Sequence, residues 1–231
     1  MTKTWAWLIG LMVVFASAFA YVAWQERSVT YLSYNIVNSL EHVSLDEVDE
    51  AMVPYLSQSF WDVDMMGLKQ RLEQVSWIEE VNVRRNWPGY LEIEIMEHKP
   101  IARWGKDSLI SDQGEIFTPS QVVGFEDLIQ LDGDRLQAPM LLQVLNEFQT
   151  RLATLGWQVI GLSQQVDGVF RVNLHQGVHL VVDASNWSDK LARFLKAYPQ
   201  LSKKLVESAQ SYDLRYSNGM AIKVADDPEV Q

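Results

Sequence analysis

The chain has 231 residues, 48% of them hydrophobic and nine of them Trp, which is enough to build one or two cores of ordinary size and argues against general disorder. Its formal charge of −11, with no long Lys/Arg cluster, argues against a nucleic-acid partner. With no Cys, disulfides, thiolate catalysis and sulfur-ligated zinc are excluded.

From Trp5 to Trp24 the chain runs twenty residues without a charge, the length a helix needs to cross ~30 Å of hydrocarbon, with Trp at both ends to suit the two interfaces. A cleaved signal peptide is the alternative. Lys3 supplies a minimal basic start and Ala18-Phe19-Ala20 a small-residue cleavage pattern, although the apolar run continues past it. The flanking charges, Lys3 before and Glu26 and Arg27 after, barely decide orientation.

Val29 to Val37 reads as a strand. Ser44 and Glu47 form a capping box for a helix with Leu45, Val48 and Met52 on one face, expected to stop at Pro54. Asp64 caps a second helix, in which Met65, Leu68, Leu72 and Val75 recur at helical spacing while Lys69, Gln70 and Glu73 face outward.

Val81 and Val83, then Leu91, Ile93 and Ile95, alternate with polar residues, the period of two half-buried strands. They meet at Asn86-Trp87-Pro88-Gly89, where Pro fixes its own φ and Gly accepts a positive one. The turn length predicts Val83 opposite Ile93, Val81 opposite Ile95 and Arg84 opposite Glu92.

A domain boundary is expected near Lys99. Beyond it come short strands at Ile101 to Trp104, Ser108 to Ile110, Glu115 to Phe117 and Leu128 to Leu131. Pro139 to Leu155 is an amphipathic helix ended by Gly156, with Leu141, Val144, Leu145, Phe148 and Leu152 on one side. Val159 to Leu162 reads as a strand, and Val169 to Leu174 with Val178 to Val182 as a hairpin. A helix from Ser188 to Tyr198 is stopped by Pro199, and two last strands, Ser211 to Tyr216 and Met220 to Val224, precede an acidic tail, 225–231, expected to be disordered.

No catalytic constellation emerges. His42, His98, His175 and His179 read as structural or surface residues, and although His175 and His179 could meet across a turn, a third metal ligand is not evident. The carboxylates near Asp46 and Glu50 read as a solvated helix face, and no G-x-S-x-G, phosphate-binding Gly loop or H-E-x-x-H occurs. Trp61, Trp77, Trp87, Trp104, Trp157 and Trp187 read as core and corner packing rather than a ligand groove.

Several stretches together resemble the FtsQ family of bacterial cell-division proteins: Phe60 to Asp64, Ser76-Trp77-Ile78, Val83 to Pro88, Glu97 to Trp104, Asp112 to Phe117, and Asp213-Leu214-Arg215-Tyr216 with Gly219. Ser76 stands where that family usually has Pro, and Ser39 where it often has Gly. The resemblance implies an α+β fold: an uncleaved transmembrane helix at 5–24, a β-α-α-β-β POTRA domain at 28–98, and a mixed antiparallel β-sheet domain with flanking helices at 99–224. It also implies a cytoplasmic N-terminus of only residues 1–4, with the bulk of the chain periplasmic at the division septum.

By the same resemblance the chain is a non-enzymatic, single-pass inner-membrane scaffold without a cofactor. Its partners would be FtsB and FtsL, with FtsK, FtsW and FtsI as further contacts. The partner-binding residues it implies are Arg215, Tyr216, Ser217, Gly219, Met220 and Ile222, at an exposed sheet edge that invites strand addition. Arg84 and Arg85 read first as a solvated strand face, and the POTRA resemblance makes their hairpin a candidate second docking surface. Two other readings stand beside it: a POTRA-type chaperone or assembly factor for outer-membrane or secreted proteins, for whose β-barrel the chain has no room, and a secreted enzyme released by cleavage between Ala20 and Tyr21.

Overall fold

The computed structural model describes residues 2–27, 32–87 and 89–224, and within the first helix the side chains of Trp7 and residues 10–22. Between His98 and Lys99 the chain divides into two units. The first contains α1 (Thr2–Arg27), β1 (Ser33–Ile36), α2 (Leu45–Leu56), α3 (Met65–Leu72), β2 (Ile78–Asn86) and β3 (Tyr90–Glu97).

Among the described residues no helix is long and apolar enough to cross a membrane. The side chains of Trp5 and Trp24 lie outside those residues, as do the first part of the expected strand from Val29, Pro88 of the expected turn, and the tail 225–231. Within α1, Trp7, Leu11, Met12, Val13, Phe15 and Phe19 are 62–82% exposed.

The expected β-α-α-β-β order follows α1. The three strands lie in the order β1-β3-β2, with β1 parallel and β2 antiparallel to β3. Val83 faces Ile93, Val81 faces Ile95 and Arg84 faces Glu92, as the alternation predicts. Val81, Leu91, Ile93 and Ile95 are buried with Val48 and Met52 of α2 and Leu68 and Leu72 of α3, each side chain contributing about 1.5–3 kcal/mol of hydrophobic stabilisation.

Polar side chains complete the backbone ladder. Asn38 receives the Ile95 N–H at 3.0 Å and donates its own amide to the Ile95 carbonyl at 2.7 Å, imitating one further residue of β1. One Glu97 carboxylate then accepts the consecutive N–H groups of Glu41, His42 and Val43 at 2.9–3.2 Å. The chain therefore enters α2 from a fixed position, and both expected caps are present: the Ser44/Glu47 capping box, and Asp64 accepting from Gly67 N–H at 3.0 Å.

Three expectations fail here. Pro54 does not stop α2, which continues to Leu56; a proline in the last turn forfeits a single backbone bond. Leu45, the first residue after the cap, is 62% exposed rather than on the buried face. Trp61 and Trp87 are exposed, whereas Trp77 and Trp104 are buried as expected.

The second unit holds β4 (Pro100–Trp104), β5 (Ser108–Ser111), β6 (Ile116–Phe117), β7 (Ile129–Asp132), α4 (Ala138–Leu152), β8 (Val159–Gln164), β9 (Val169–Leu174), β10 (His179–Asp183), α5 (Trp187–Ala197), α6 (Lys203–Ser208), β11 (Ala209–Asp213) and β12 (Ala221–Val224). Among the described residues its sheet of nine strands runs β12-β11-β10-β9-β8-β7-β4-β5-β6. The pairs β10/β11, β7/β8 and β4/β7 are parallel and the other five antiparallel, so the sheet is mixed. Phe148 and Leu141 of α4 and Leu191 and Phe194 of α5 fill its core with Val172, Leu180 and Tyr212. Gly156, at φ 73°, closes the turn after α4 in the left-handed region that glycine tolerates.

Candidate functional site

β12 is the terminal strand of the larger sheet and, among the described residues, pairs on one side only, with β11. The loop before it carries most of the expected binding residues. β11 ends at Asp213, three residues before the expected limit at Tyr216, for a local reason: the Asp213 carboxylate accepts the Arg215 N–H at 3.0 Å, a side-chain turn that diverts the chain. The same carboxylate holds the Arg215 guanidinium at 2.6–3.1 Å. That hydrogen bond holds the Asp213 carboxyl below its ordinary value against the opposing effect of burial.

α5 pins the loop's backbone from beneath. Lys190, a buried cation, pairs with the Asp183 carboxylate and donates to the Arg215 carbonyl at 2.7 Å. One turn further on, Arg193 donates to the Ser217 carbonyl. The carbonyls are thus turned inward, and the Tyr216 side chain stands outward, 57% exposed.

Under β11 lies an aromatic cluster of Trp157, Phe194, Tyr198 and Tyr212, with ring centroids 4.7–6.0 Å apart. Burial pushes the Tyr212 hydroxyl up to about 12, and that oxygen has no hydrogen-bond partner among the described residues.

Two clefts flank the loop. One, about 310 Å³, lies between α5 and Leu214, with Asn218, Gly219 and Met220 on its far wall; the other, about 380 Å³, is lined by residues 216–221. A Cβ added at Gly219 would meet nothing within 4 Å, and its φ is not in the left-handed region. Met220 and Ile222 are half-buried and pack against their own domain's core, whereas Arg215, Tyr216, Ser217 and Gly219 are exposed.

The structure brings those six residues together at one edge, and it does not bring Arg84 and Arg85 together. Arg84 shares the open face of its sheet with Glu92, while Arg85 faces Leu91 on the other side and donates to the carbonyls of Val63 and Trp61 at 2.9 and 3.4 Å.

Sequence reasoning missed Asp183, Lys190 and Arg193. One signal was available: Lys190 occupies an apolar stripe with Trp187, Leu191 and Phe194, where a cation must find a buried partner.

Among the described residues no group of three or more His, Asp or Glu is placed to hold an ion. His179 Nδ1 lies 3.0 Å from Asn173 Oδ1, across the β9/β10 ladder. A cleft of about 930 Å³ beside Asp132, Asp134, Ser163 and Asp167 has no His, Lys or Arg in its lining.

Comparison with known proteins matches residues 34–98 to the FtsQ-type POTRA domain and residues 102–215 to the C-terminal domain of the cell division proteins FtsQ/DivIB. Cell division protein FtsQ of Xanthomonas campestris pv. campestris is 30% identical over 221 residues, covering 94% of this chain and 79% of that protein. Those of Coxiella burnetii and Allochromatium vinosum are each 28% identical, covering 85% and 93% of this chain and 81% and 86% of theirs.

Proposed function

Because this chain belongs to the FtsQ/DivIB family of cell-division proteins, we propose that it is a non-enzymatic divisome scaffold, held in the inner membrane by α1 as a single-pass type II protein. Its N-terminus is then cytoplasmic, and its two folded units stand in the periplasm at the septum. There they recruit FtsB and FtsL through the β12 edge, with FtsK, FtsW and FtsI as further contacts.

The observation that carries this reading is the β12 edge beside an exposed Tyr216 on a pinned loop. An open edge offers backbone donors and acceptors to an added strand, and a half-exposed aromatic ring with a polar tip suits the centre of an interface. A partner strand would extend the ladder while Tyr216 and the adjoining clefts take its side chains. The anchor reading rests on the charge-free run and on apolar side chains of α1 that find no cover within the described chain.

The test joins topology to binding. Protease added to intact spheroplasts should digest both folded units and spare an N-terminal tag, and the full-length protein should capture the FtsB and FtsL pair. A mature chain beginning at Tyr21, or failure to capture the pair, would contradict the proposal.

A further inference from the structure

One end of the smaller sheet collects apolar side chains that the core does not use. β1 runs parallel to β3 and begins opposite Tyr90, so the start of β1 and the turn between β2 and β3 share that end; Ser33 Oγ lies 3.5 Å from the Gly89 carbonyl. α2 returns toward it, and Arg85, two residues from Trp87, holds the Trp61 and Val63 carbonyls of the α2–α3 loop there as well. Trp87 is 77% exposed and Trp61 51%, and Leu56 and Met66, at the helix ends that flank the α2–α3 loop, are 36% and 67% exposed.

This is also where the chain arrives from α1. Five residues separate Arg27 from Ser33, a reach of at most about 20 Å. If α1 spans the bilayer, the tip bearing Trp61 and Trp87 is tethered within that distance of the headgroup layer, into which indole rings partition.

We propose that Trp61 and Trp87 dock this tip of the POTRA unit into the lipid interface around α1, so that the domain is held against the membrane rather than swinging on its tether. The inference rests on the anchor reading above. Near this end Asp62 and Glu92 offset Arg84 and Arg85 in charge, so the contact is aromatic rather than Coulombic and is insensitive to salt. Arg85 holds the backbone at the tip; the Trp61 ring packs edge-on against Phe60, centroids 5.1 Å apart, and still leaves half its surface exposed, as Trp87 leaves most of its own.

The native chain has no Cys, so single cysteines can be labelled with an environment-sensitive fluorophore in the full-length protein. The label is placed at Asp62→Cys beside the tip, at Leu136→Cys on the other unit, or at Ala18→Cys in α1. Each protein is reconstituted in vesicles of phosphatidylethanolamine and phosphatidylglycerol containing lipids spin-labelled at the headgroup or deep in the acyl chain. Expected are quenching at position 62 by the headgroup label, unchanged by salt, none at position 136, and loss of the position-62 quenching in the Trp61→Ser/Trp87→Ser variant at unchanged circular dichroism. Position 18 quenched by the deep label with positions 62 and 136 alike unquenched overturns the docking and leaves the anchor standing. No quenching at position 18 overturns both.

Discussion

Lys190 of α5 donates to the backbone carbonyl of Arg215 across 2.7 Å, so a buried ammonium positions the root of the loop that leads to the exposed sheet edge. Its other partner, Asp183, is 37% exposed on the side-chain scale and remains partly hydrated when the cation is removed. Lys190→Met should therefore cost about 1–3 kcal/mol rather than the full penalty of a sealed ion pair. Urea unfolding of the variant should show that loss, and partner binding should weaken with it because the Tyr216 loop is no longer held.

Asp213 gives the same loop an acid limit. Its carboxyl titrates lower folded than unfolded, first because of the Arg215 hydrogen bond. Its stabilisation is thus present above the unfolded value near pH ~3.9 and is lost as pH falls through the lower folded value. The native protein should lose stability more steeply than Asp213→Asn below about pH 4, as read from chemical unfolding at a series of pH values.

In the POTRA unit the two hairpin valines are unequal. Val81 is fully buried and Val83 only partly so. Val81→Asp should cost at least about 3 kcal/mol by burying an unpaired carboxylate, and Val83→Asp clearly less, since its carboxylate can reach water. Thermal unfolding followed by circular dichroism orders the two, and equal effects would refute the burial assignment.

Asn38 supplies both a donor and an acceptor to Ile95. Asn38→Ala should destabilise by about 1–3 kcal/mol, and Asn38→Asp, which keeps the acceptor for the Ile95 N–H but turns a second oxygen toward the Ile95 carbonyl, should gain little of it back. Hydrogen exchange at the Ile95 amide should quicken in Asn38→Ala and stay slow in Asn38→Asp.

The hairpin was legible because alternation with a tight turn leaves one register that satisfies both faces, and Val83 opposite Ile93 follows from it. Strand partners in the larger sheet were not legible. Periodicity reports which face of β4, β7 or β8 is buried and says nothing of whether its neighbour runs parallel. α6 went unseen because Lys203 to Ser208 is polar on most positions and lacks a long apolar stripe. At the β12 edge the residue block is found from its resemblance, but strand periodicity runs β11 on to Tyr216, since the side-chain turn at Asp213 depends on a hydrogen bond that periodicity does not report.

Tyr216→Ala and Gly219→Arg probe the proposed partner site on the Tyr216 loop without disturbing the core. Tyr216 is more than half exposed, and open space surrounds a Cβ at Gly219, so both variants should unfold within about 0.5 kcal/mol of the native protein. Titration of the FtsB and FtsL pair into each, with thermal unfolding measured on the same samples, should show affinity reduced at least about tenfold. If both variants stay folded and bind the pair as tightly as the native chain, the β12 edge is not the binding site.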